Sequence, residues 1–198
     1  LINRLNLKKA GFIVFSFFLF ISCQKYLEEN PTVFASPSEI LTNEAGAELY
    51  TIGNYAQIKA IASDWDGWLL MWGTIAADEI VIPNWGADIR SIYLHSFTTS
   101  NNAILNVWTT LYRSINRVNS GIQKIGAMTT DQIDENAKNK FIGEHKYLRA
   151  MLYFCLVSSW ENVPLVLNES QSEDIGNFEV SQSSCKDVYE SIIEDLFV

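Results

Sequence analysis

A long apolar helix that ends at a proline constrains the fold of this chain more than any other feature. It lies within residues 143–165 (GEHKYLRAMLYFCLVSSWENVPL). Apolar residues recur along one helical face with the spacing i, i+3, i+4, i+7 and i+8: Leu148, Met151, Leu152, Cys155 and Leu156. Other apolar side chains widen this stripe until little of the helix is polar, which predicts packing on several sides: Tyr147, Tyr153, Phe154 and Val157. Pro164 cannot continue a helix, so the helix must end before it.

A second long helix is predicted directly before this one. Residues 102–126 fit the helical template throughout, with these inward positions: Ile104, Val107, Trp108, Leu111, Tyr112, Ile115, Val118, Ile122 and Ile125. A turn at 128–132 follows, and Thr129 or Thr130 is the expected N-cap of the next helix, which runs over about 134–160. Two long helices joined by a short turn pack antiparallel, so a helical hairpin is predicted.

Shorter helices are predicted on either side of the hairpin. Ser36 and Pro37 are typical of a helix start, with Ser36 as N-cap and Glu39 completing a capping box. A helix over about 44–61 follows, and its predicted apolar stripe is Ala45, Leu49, Ile52 and Ala56. Residues 184–187 resemble another capping box and open a last helix with these inward residues: Val188, Tyr189, Ile192, Ile193 and Leu196. The predicted fold class is all-α.

The first residues have the composition of an export signal. A positive segment contains Arg4, Lys8 and Lys9. An uncharged, mostly apolar run follows over 10–21, short of the roughly 20 residues needed to span a bilayer, which is typical of a secretory signal peptide. The run ends in FISC, which resembles a bacterial lipobox, although Phe20 stands where an aliphatic residue is usual. We predict a signal peptide over 1–22 and lipidation of Cys23; the alternative is an ordinary signal peptide followed by a chance cysteine.

Net charge argues against a nucleic-acid partner. The formal charge of the chain is −9, and removal of 1–22 with its three basic residues leaves 11 basic against 23 acidic residues, or −12. Proteins that bind nucleic acid usually show a basic patch, and no run of lysine and arginine follows the first ten residues.

The remaining cysteines do not indicate a metal site. Cys155 and Cys185 could pair in an oxidising compartment, but the position of Cys155 on the buried face favours a small hydrophobic role. No cysteine or histidine spacing typical of zinc occurs. We expect no metal and no cofactor.

Residues 64–90 form the least regular part of the chain. Three tryptophans there have helical spacing and are predicted to pack in the core: Trp65, Trp68 and Trp72. Trp85 is different, because it lies between Pro-Asn and Gly-Ala-Asp and has no helical stripe to join. We therefore expect Trp85 to be exposed in a polar loop, which also contains Asn84, Asp88 and Arg90.

Four motifs in chain order resemble the SusD/RagB family of outer-membrane lipoproteins. Cys23, followed by Tyr26-Leu27-Glu28 and Pro31, resembles the mature start of these proteins. Residues 108–119 (WTTLYRSINRVN) are similar to the family helix W..LYR.INRAN. Residues 143–165 are similar to GEARFLRALYYFDLVRLYGDVPL, and 188–196 (VYESIIEDL) resemble the helix that follows.

Two departures from the family pattern lie near the end of the central helix. Cys155 stands where an acidic residue is common, and Trp160-Glu161-Asn162 replaces the usual Tyr-Gly-Asp turn. Glycine is the favoured residue just past a helix end, so its loss is expected to change how this helix terminates.

This resemblance implies a mostly helical fold of tetratricopeptide-like helix pairs with irregular loops. Complete members continue well beyond residue 198, so it also implies truncation before the C-terminal region, with 23–198 as an incomplete N-terminal helical domain. The implied protein is anchored by lipid in the outer membrane of Bacteroidetes-type bacteria and exposed at the cell surface. There it would cap a TonB-dependent (SusC-like) transporter and capture glycans or other nutrients for import, without cleaving them.

The resemblance also implies that part of the ligand site comes from residues 64–90. Sugars present apolar C–H faces that lie on aromatic rings, and Asn, Asp and Arg side chains hold their hydroxyls. We therefore predict Trp85 as the platform, with Asn84, Asp78 and Arg90 as hydrogen-bonding partners. The alternative is that Trp85 packs beneath the loop and Asp78 caps a helix.

Arginines on the motif helices are assigned to the scaffold rather than to the ligand. Arg113, Arg117 and Arg149 are expected to pair with carboxylates or carbonyl groups between helices. This leaves the irregular stretch as the predicted source of ligand contacts.

Two other classes of function stay open. A surface glycoside hydrolase needs two carboxylates about 5 to 9 Å apart across a cleft. The acidic pairs follow no recognisable motif: Asp78-Glu79, Glu28-Glu29 and Glu173-Asp174. His95 and His145 have no activated serine or cysteine at a known spacing. A helical adaptor without a small-molecule ligand fits the helix pairs but does not explain the lipobox.

Overall fold

The computed structural model describes residues 37–62, 67–77, 80–82, 84–170 and 180–197. Its α-helices in chain order are α1 (Pro37–Ile40), α2 (Glu44–Tyr55), α3 (Lys59–Ala62), α4 (Ala87–Tyr93), α5 (Asn102–Gly126), α6 (Glu135–Trp160) and α7 (Cys185–Leu196). A 3₁₀ turn (Ala56–Ile58) joins α2 to α3, and a π-helical segment (Leu69–Ile75) precedes α4. The predicted all-α class is confirmed. The predicted signal peptide and Cys23 lie outside the described residues.

Helices α5 and α6 form the predicted antiparallel hairpin. Trp108 near the start of α5 contacts Trp160 at the end of α6, whereas Gly126 lies beside Ile142 near the opposite end. Asn101 begins α5, its side chain accepting a hydrogen bond from the Ile104 amide at 3.0 Å. These contacts lie toward the two ends of the hairpin. Helix α2 packs on both of its helices and α7 packs on α6.

The N-cap predicted for α6 is wrong. Asp134, and neither threonine, caps the helix, accepting a hydrogen bond from the Asn136 amide at 2.9 Å. Thr129 instead closes the turn: its amide and hydroxyl both donate to Gln132 Oε1, at 2.9 and 3.3 Å. Threonine and aspartate are both good N-caps, so residue type alone did not identify Asp134.

The main core lies between the hairpin, α7 and the π-helical segment. Its fully or almost fully buried side chains include Met71, Ile75, Leu111, Ile115, Val118, Leu148, Leu152, Leu156 and Val188. A smaller apolar cluster closes the turn end of the hairpin and consists of Leu41, Ala47, Ile125, Met128, Ile133 and Phe141. Helix α6 thus contributes to both clusters, to the smaller one through Phe141. The predicted packing of this helix on several sides is wrong for Tyr147 and Phe154, which are each 50% exposed.

The apolar stripe predicted for α2 is wrong. Leu49 and Ile52 are 62% and 60% exposed, and Ala45 and Ala56 are exposed as well. The buried side chains are instead Ala47, Thr51 and Asn54. Thr51 donates to the Ala47 carbonyl at 2.8 Å, and Asn54 donates to the Tyr50 carbonyl at 3.2 Å. Because these polar groups are satisfied by hydrogen bonds, the polar face of α2, which the sequence pattern assigns to solvent, can be buried.

Helix α7 begins as predicted, but only part of its predicted apolar face is buried. Ser184 accepts a hydrogen bond from the Asp187 amide at 3.2 Å, and its hydroxyl donates to Asp187 Oδ2 at 2.7 Å. Val188 and Ile192 are buried. The other residues predicted inward are exposed within the described structure: Tyr189, Ile193 and Leu196.

The chain after α6 is extended and held by side chains of the hairpin. Strand β1 (Val163–Pro164) pairs antiparallel with β2 (Gln182–Ser183). Beyond β1, the Val166 carbonyl accepts hydrogen bonds from Tyr153 and Asn119, both at 2.9 Å. Asn116 exchanges two hydrogen bonds with the Ser170 backbone, at 2.7 and 3.3 Å. These bonds fix residues 166–170 against the hairpin.

Candidate functional site

The predicted platform, Trp85, lies in a short bend before α4. Gly86 follows it as the N-cap of α4, with φ 87° and ψ 161°, a conformation that favours glycine. The prediction of a polar loop through residue 90 is wrong, because residues from Ala87 onward are helical. Trp85 is thus set at a sharp turn into a helix rather than in the middle of a long loop.

Asp88 fixes α4 to the beginning of α5. Its carbonyl accepts a hydrogen bond from Asn101 Nδ2, and its Oδ2 accepts one from Asn102 Nδ2, both at 2.9 Å. Asn101 also caps α5 and donates to the Ser91 hydroxyl at 2.9 Å. Asp88 is therefore a structural residue that holds the Trp85 bend against the hairpin.

Trp85 is 40% exposed, as predicted. Asn84, its neighbour in the bend, and Arg90, one turn into α4, are exposed too. Asp78 lies outside the described residues. The structure thus places three of the four predicted site residues on one exposed bend-and-helix unit, and their role in binding stays a prediction.

Exposed apolar side chains that the sequence reasoning missed flank this unit. Val81 precedes Trp85 and is 81% exposed; Leu94 and Phe97 follow α4 and are 52% and 49% exposed. Phe97 carries the same signal that indicated Trp85, since it lies among serine and threonine residues without a helical stripe. Apolar faces beside amide and guanidinium donors match the chemistry that a sugar offers.

The other tryptophans of the irregular stretch pack against the scaffold, as predicted. Trp68 donates from its indole N–H to the Ser159 hydroxyl at 2.6 Å. Trp72 contacts Trp160, with ring centroids 5.1 Å apart, and Trp108 contacts the same ring at 5.2 Å. These rings are explained by packing at the open end of the hairpin. Trp65 lies outside the described residues.

The assignment of arginines to the scaffold is confirmed for one residue. Arg149 is buried and paired with Asp195, with Nε and Oδ2 2.7 Å apart. Arg113 and Arg117 are instead exposed on α5, without an ion-pair or hydrogen-bond partner among the described residues. The prediction that they hold helices together is therefore wrong for this part of the chain.

The two histidines have no catalytic surroundings in the described structure. His145 is fully buried, with Nδ1 2.8 Å from the Phe141 carbonyl and Nε2 3.1 Å from Asn54 Nδ2. A carbonyl only accepts, so Nδ1 carries the proton and Nε2 accepts from Asn54. His95 lies in the turn after α4 with φ 51°. The three acidic pairs considered for hydrolysis lie outside the described residues.

The described ranges contain neither a candidate metal site nor a helix that could span a membrane. There, no three histidine, cysteine, aspartate or glutamate side chains cluster so that they could hold a metal ion. No described helix has both the length and the apolar character needed to cross a bilayer. Cys155 and Cys185 are unpaired, and burial raises the pKa of the Cys155 thiol to about 12.

Two SusD-like proteins match most of this chain in sequence. SusD-like protein P2 of Formosa agariphila is 27% identical over 191 residues, covering 95% of this chain and 36% of the relative. SusD-like protein P25 of the same organism is 24% identical over 186 residues, covering 85% of this chain and 33% of the relative. The chain thus spans about one third of the length of these relatives.

Solved structures show the same fold. A SusD superfamily protein from Bacteroides vulgatus superposes with a TM-score of 0.69 at 23% identity, over 79% of this chain and 34% of the other. A laminarin-binding SusD-like protein superposes with a TM-score of 0.67 at 24% identity, over 78% of this chain and 33% of the other.

A family model also matches most of this chain. It belongs to the SusD-like group, carries the description "Starch-binding associating with outer membrane" and matches residues 25–198. Because the match covers nearly the whole chain, this protein belongs to the SusD-like family.

Proposed function

We propose that this protein is a surface lipoprotein that binds oligosaccharides and delivers them to a partner TonB-dependent (SusC-like) outer-membrane transporter. The family match over residues 25–198, with its description of starch binding at the outer membrane, carries this proposal. A structural relative that binds laminarin supports a carbohydrate ligand. In this proposal the protein binds the sugar and does not cleave it.

The proposed ligand contacts are those of the Trp85 bend. Trp85 supplies an exposed ring on which an apolar sugar face can lie. Asn84 offers an amide and Arg90 a guanidinium for sugar hydroxyls, and Asp78 is the proposed acceptor. The bonds from Asn101 and Asn102 to Asp88 hold this unit in place, which lowers the entropy cost of binding.

Affinity electrophoresis tests this site. Migration of the wild-type chain is compared in gels with and without starch, laminarin or other soluble polysaccharides. We expect Trp85→Ala to lose most of the retardation and Trp85→Phe to keep part of it, because a smaller ring remains. Leu49→Ala is the matched control, since Leu49 is an exposed apolar residue on another helix. Undiminished retardation of Trp85→Ala would remove this residue from the site.

Further measurements address catalysis, localisation and the partner protein. The purified protein is also incubated with a polysaccharide that slows its migration in the gel. Release of reducing ends from this polysaccharide would favour the glycoside hydrolase instead. Lipid attachment at Cys23 is tested by Cys23→Ser, which should move the protein from the membrane fraction to the soluble fraction, because acyl chains supply the anchoring energy.

The partner is tested by purification of the membrane-bound protein, which should bring a TonB-dependent transporter with it. Retention of an unrelated protein, without any polysaccharide binding, would favour the adaptor.

A further inference from the structure

Helix α5 presents an exposed polar stripe that contains no acidic residue. At about 100° per residue, its members lie within roughly 80° of one another around the helix axis. They are Asn102, Asn106, Thr109, Arg113 and Arg117, and all are exposed. Helix α5 as a whole has no aspartate or glutamate, whereas α2, α6 and α7 each contain at least two. In a chain with 23 acidic residues, this acid-free stretch extends over 89–130.

The two arginines of the stripe lack a counter-charge on the scaffold. Arg113 and Arg117 lie one helical turn apart, where like charges destabilise a helix. None of the residues three or four positions from either arginine is acidic. Neither has an ion-pair or hydrogen-bond partner among the described residues, whereas Lys124 on the same helix is paired with Glu169 at 2.7 Å. This arrangement indicates an anion that is supplied by a ligand.

The side chains of the stripe suit a sugar polymer with anionic groups. A guanidinium group binds a carboxylate or a tetrahedral oxyanion through two parallel hydrogen bonds. The Cβ atoms of Arg113 and Arg117 are about 5–6 Å apart, so both side chains can reach one anionic group or two on neighbouring sugars. Asn106 and Thr109 offer an amide and a hydroxyl for uncharged sugar hydroxyls.

The stripe begins beside the proposed glycan site. Asn102 Nδ2 donates to Asp88 Oδ2 at 2.9 Å, and Asp88 lies three positions after Trp85. From Asn102, the helix rises by roughly 16 Å to Arg113 and by roughly 22 Å to Arg117, at 1.5 Å per residue. One sugar ring cannot cover this length, so a ligand that contacts both Trp85 and the arginines must be a polymer.

Net charge favours a polysaccharide over an anionic lipid surface. The formal charge of the chain is −9, so an extended anionic surface would repel most of the protein. A single polysaccharide chain needs to meet only the stripe, where no carboxylate opposes it. Helices that bind membrane surfaces also combine their cations with a large apolar face, whereas the stripe is polar along its length.

We propose that the ligand of this protein is an acidic polysaccharide and that Arg113 and Arg117 bind its carboxylate or sulfate groups. This inference rests on the proposed function and names the substrate class for it. The Trp85 bend binds the apolar face of a sugar, and the two arginines select polymers that are negatively charged.

Binding to immobilised polymers in matched pairs tests this inference. One pair is polygalacturonate and the same polymer with its carboxyl groups reduced, and the other is dextran sulfate and dextran. Dissociation constants of the wild-type chain are compared with those of the double variant Arg113→Gln, Arg117→Gln. The control is Lys140→Gln with Lys186→Gln, which removes two charges from other helices, where both side chains are exposed in weak ion pairs.

We expect the wild-type chain to bind at least one polyanion about tenfold more tightly than its uncharged counterpart, because charge-assisted hydrogen bonds are roughly twice as strong as neutral ones. This preference should shrink as NaCl is raised from about 0.05 M to about 0.5 M. The double variant should lose the preference, and the control variant should keep it. The pair of polymers that shows the preference identifies the anionic group.

Several results would overturn the inference. Equal binding of the double variant and the wild type to the polyanions would remove both arginines from the site. A lower urea midpoint of the double variant would assign the arginines to the fold. Binding to phosphatidylglycerol vesicles but to neither polyanion would identify a lipid surface instead.

The same measurements separate this inference from the proposed function. Equal affinity of the wild-type chain for charged and uncharged polymers would overturn the inference and leave the proposed function standing. Failure to bind any polysaccharide would overturn both.

Discussion

Arg149 and Asp195 form a two-pronged ion pair that joins α6 to α7. Nε and Nη2 of the guanidinium donate to Oδ2 and Oδ1 of the carboxylate, both at 2.7 Å, and the two side chains are only 8% and 7% exposed. Nη1 also donates to Asn119 Oδ1 at 2.9 Å and to the Leu167 carbonyl at 3.1 Å. One buried cation thus connects both hairpin helices, α7 and the segment after β1.

Removal of one partner of this pair should destabilise the fold strongly. Arg149→Met leaves the Asp195 carboxylate buried without a counter-charge, and we expect the free energy of unfolding to fall by about 3–5 kcal/mol. Arg149→Lys should also be costly, since an ammonium cannot make the paired geometry. Urea denaturation measures both.

The matched control is an exposed pair on α7. Lys186 and Glu190 lie 3.5 Å apart with side chains 80% and 58% exposed, so Lys186→Met should cost less than about 0.5 kcal/mol. Arg149→Met with Asp195→Leu should recover much of the lost stability, because no charge stays buried. If Arg149→Met lowered the free energy of unfolding no more than Lys186→Met does, the ion pair would not stabilise the packing of α6 on α7.

Close packing of the hairpin depends on Gly121. A Cβ at this position would overlap the His145 ring, which lies across from it on α6. Gly121→Ala should therefore force the helices apart and destabilise by about 1–3 kcal/mol, despite the better helix propensity of alanine. The change is measured as a shift in thermal unfolding.

Gly53→Ala is the control for helix propensity alone. No atom lies within 4 Å of a Cβ built on Gly53, so the substitution should stabilise by about 0.5–1 kcal/mol. Equal effects of the two substitutions would mean that the overlap at His145 is relieved at no cost.

The hairpin was predictable from sequence because its signals are strong and local. Apolar positions repeat through 25 and 26 residues, and Pro164 stops the second helix. The predicted bounds of both helices therefore agree with the structure. The exposure of Trp85 was predictable for the opposite reason, since no apolar pattern surrounded it.

The failures occur where tertiary contacts decide what is buried. Asn54 of α2 is buried because it bonds to His145, 91 positions away, which no local pattern reveals. Asp88 reads as a loop residue, but its bonds to Asn101 and Asn102 make it part of the scaffold. The inward assignment of Leu196 assumed one apolar face on α7, and the structure leaves it exposed.

Acid should weaken the packing of α2 on the hairpin. Burial lowers the pKa of His145 from its usual 6.5, against smaller opposing effects of the Phe141 carbonyl and Glu144. The unfolded state then binds the proton more readily than the folded state. Stability is therefore complete above about pH 6.5 and falls as the pH drops toward the folded pKa, by at most about 1.4 kcal/mol per pH unit.

Urea midpoints between pH 8 and pH 5 measure this effect. Because other groups titrate in the same range, His145→Gln is the reference, and the wild type should lose more stability than this variant as the pH falls. If the urea midpoints of the two proteins changed equally with pH, His145 would contribute nothing to the pH dependence. A wild type that gained stability in acid relative to the variant would mean that the ring is held protonated.

Glu161 ends α6 in a conformation that favours glycine. Its φ is 63° and its ψ is −83°, close to a classic γ-turn, which is strained for a residue with a Cβ. The turn is needed because the Glu161 amide still bonds to the Val157 carbonyl at 3.0 Å, while Asn162 must accept from the Cys185 amide at 2.9 Å. The chain therefore reverses within one residue.

Glu161→Gly should relieve this strain and stabilise the protein. The strain costs about 1–3 kcal/mol and the extra freedom of glycine in the unfolded chain about 0.5–1 kcal/mol, so a net gain of roughly 1 kcal/mol is expected. Glu161→Gln keeps the Cβ and removes the charge, so it should leave the urea midpoint unchanged. A gain with glutamine equal to that with glycine would assign the effect to charge, and a loss with glycine would show that the turn is not strained. Glycine at this position would also restore the residue that the family pattern carries.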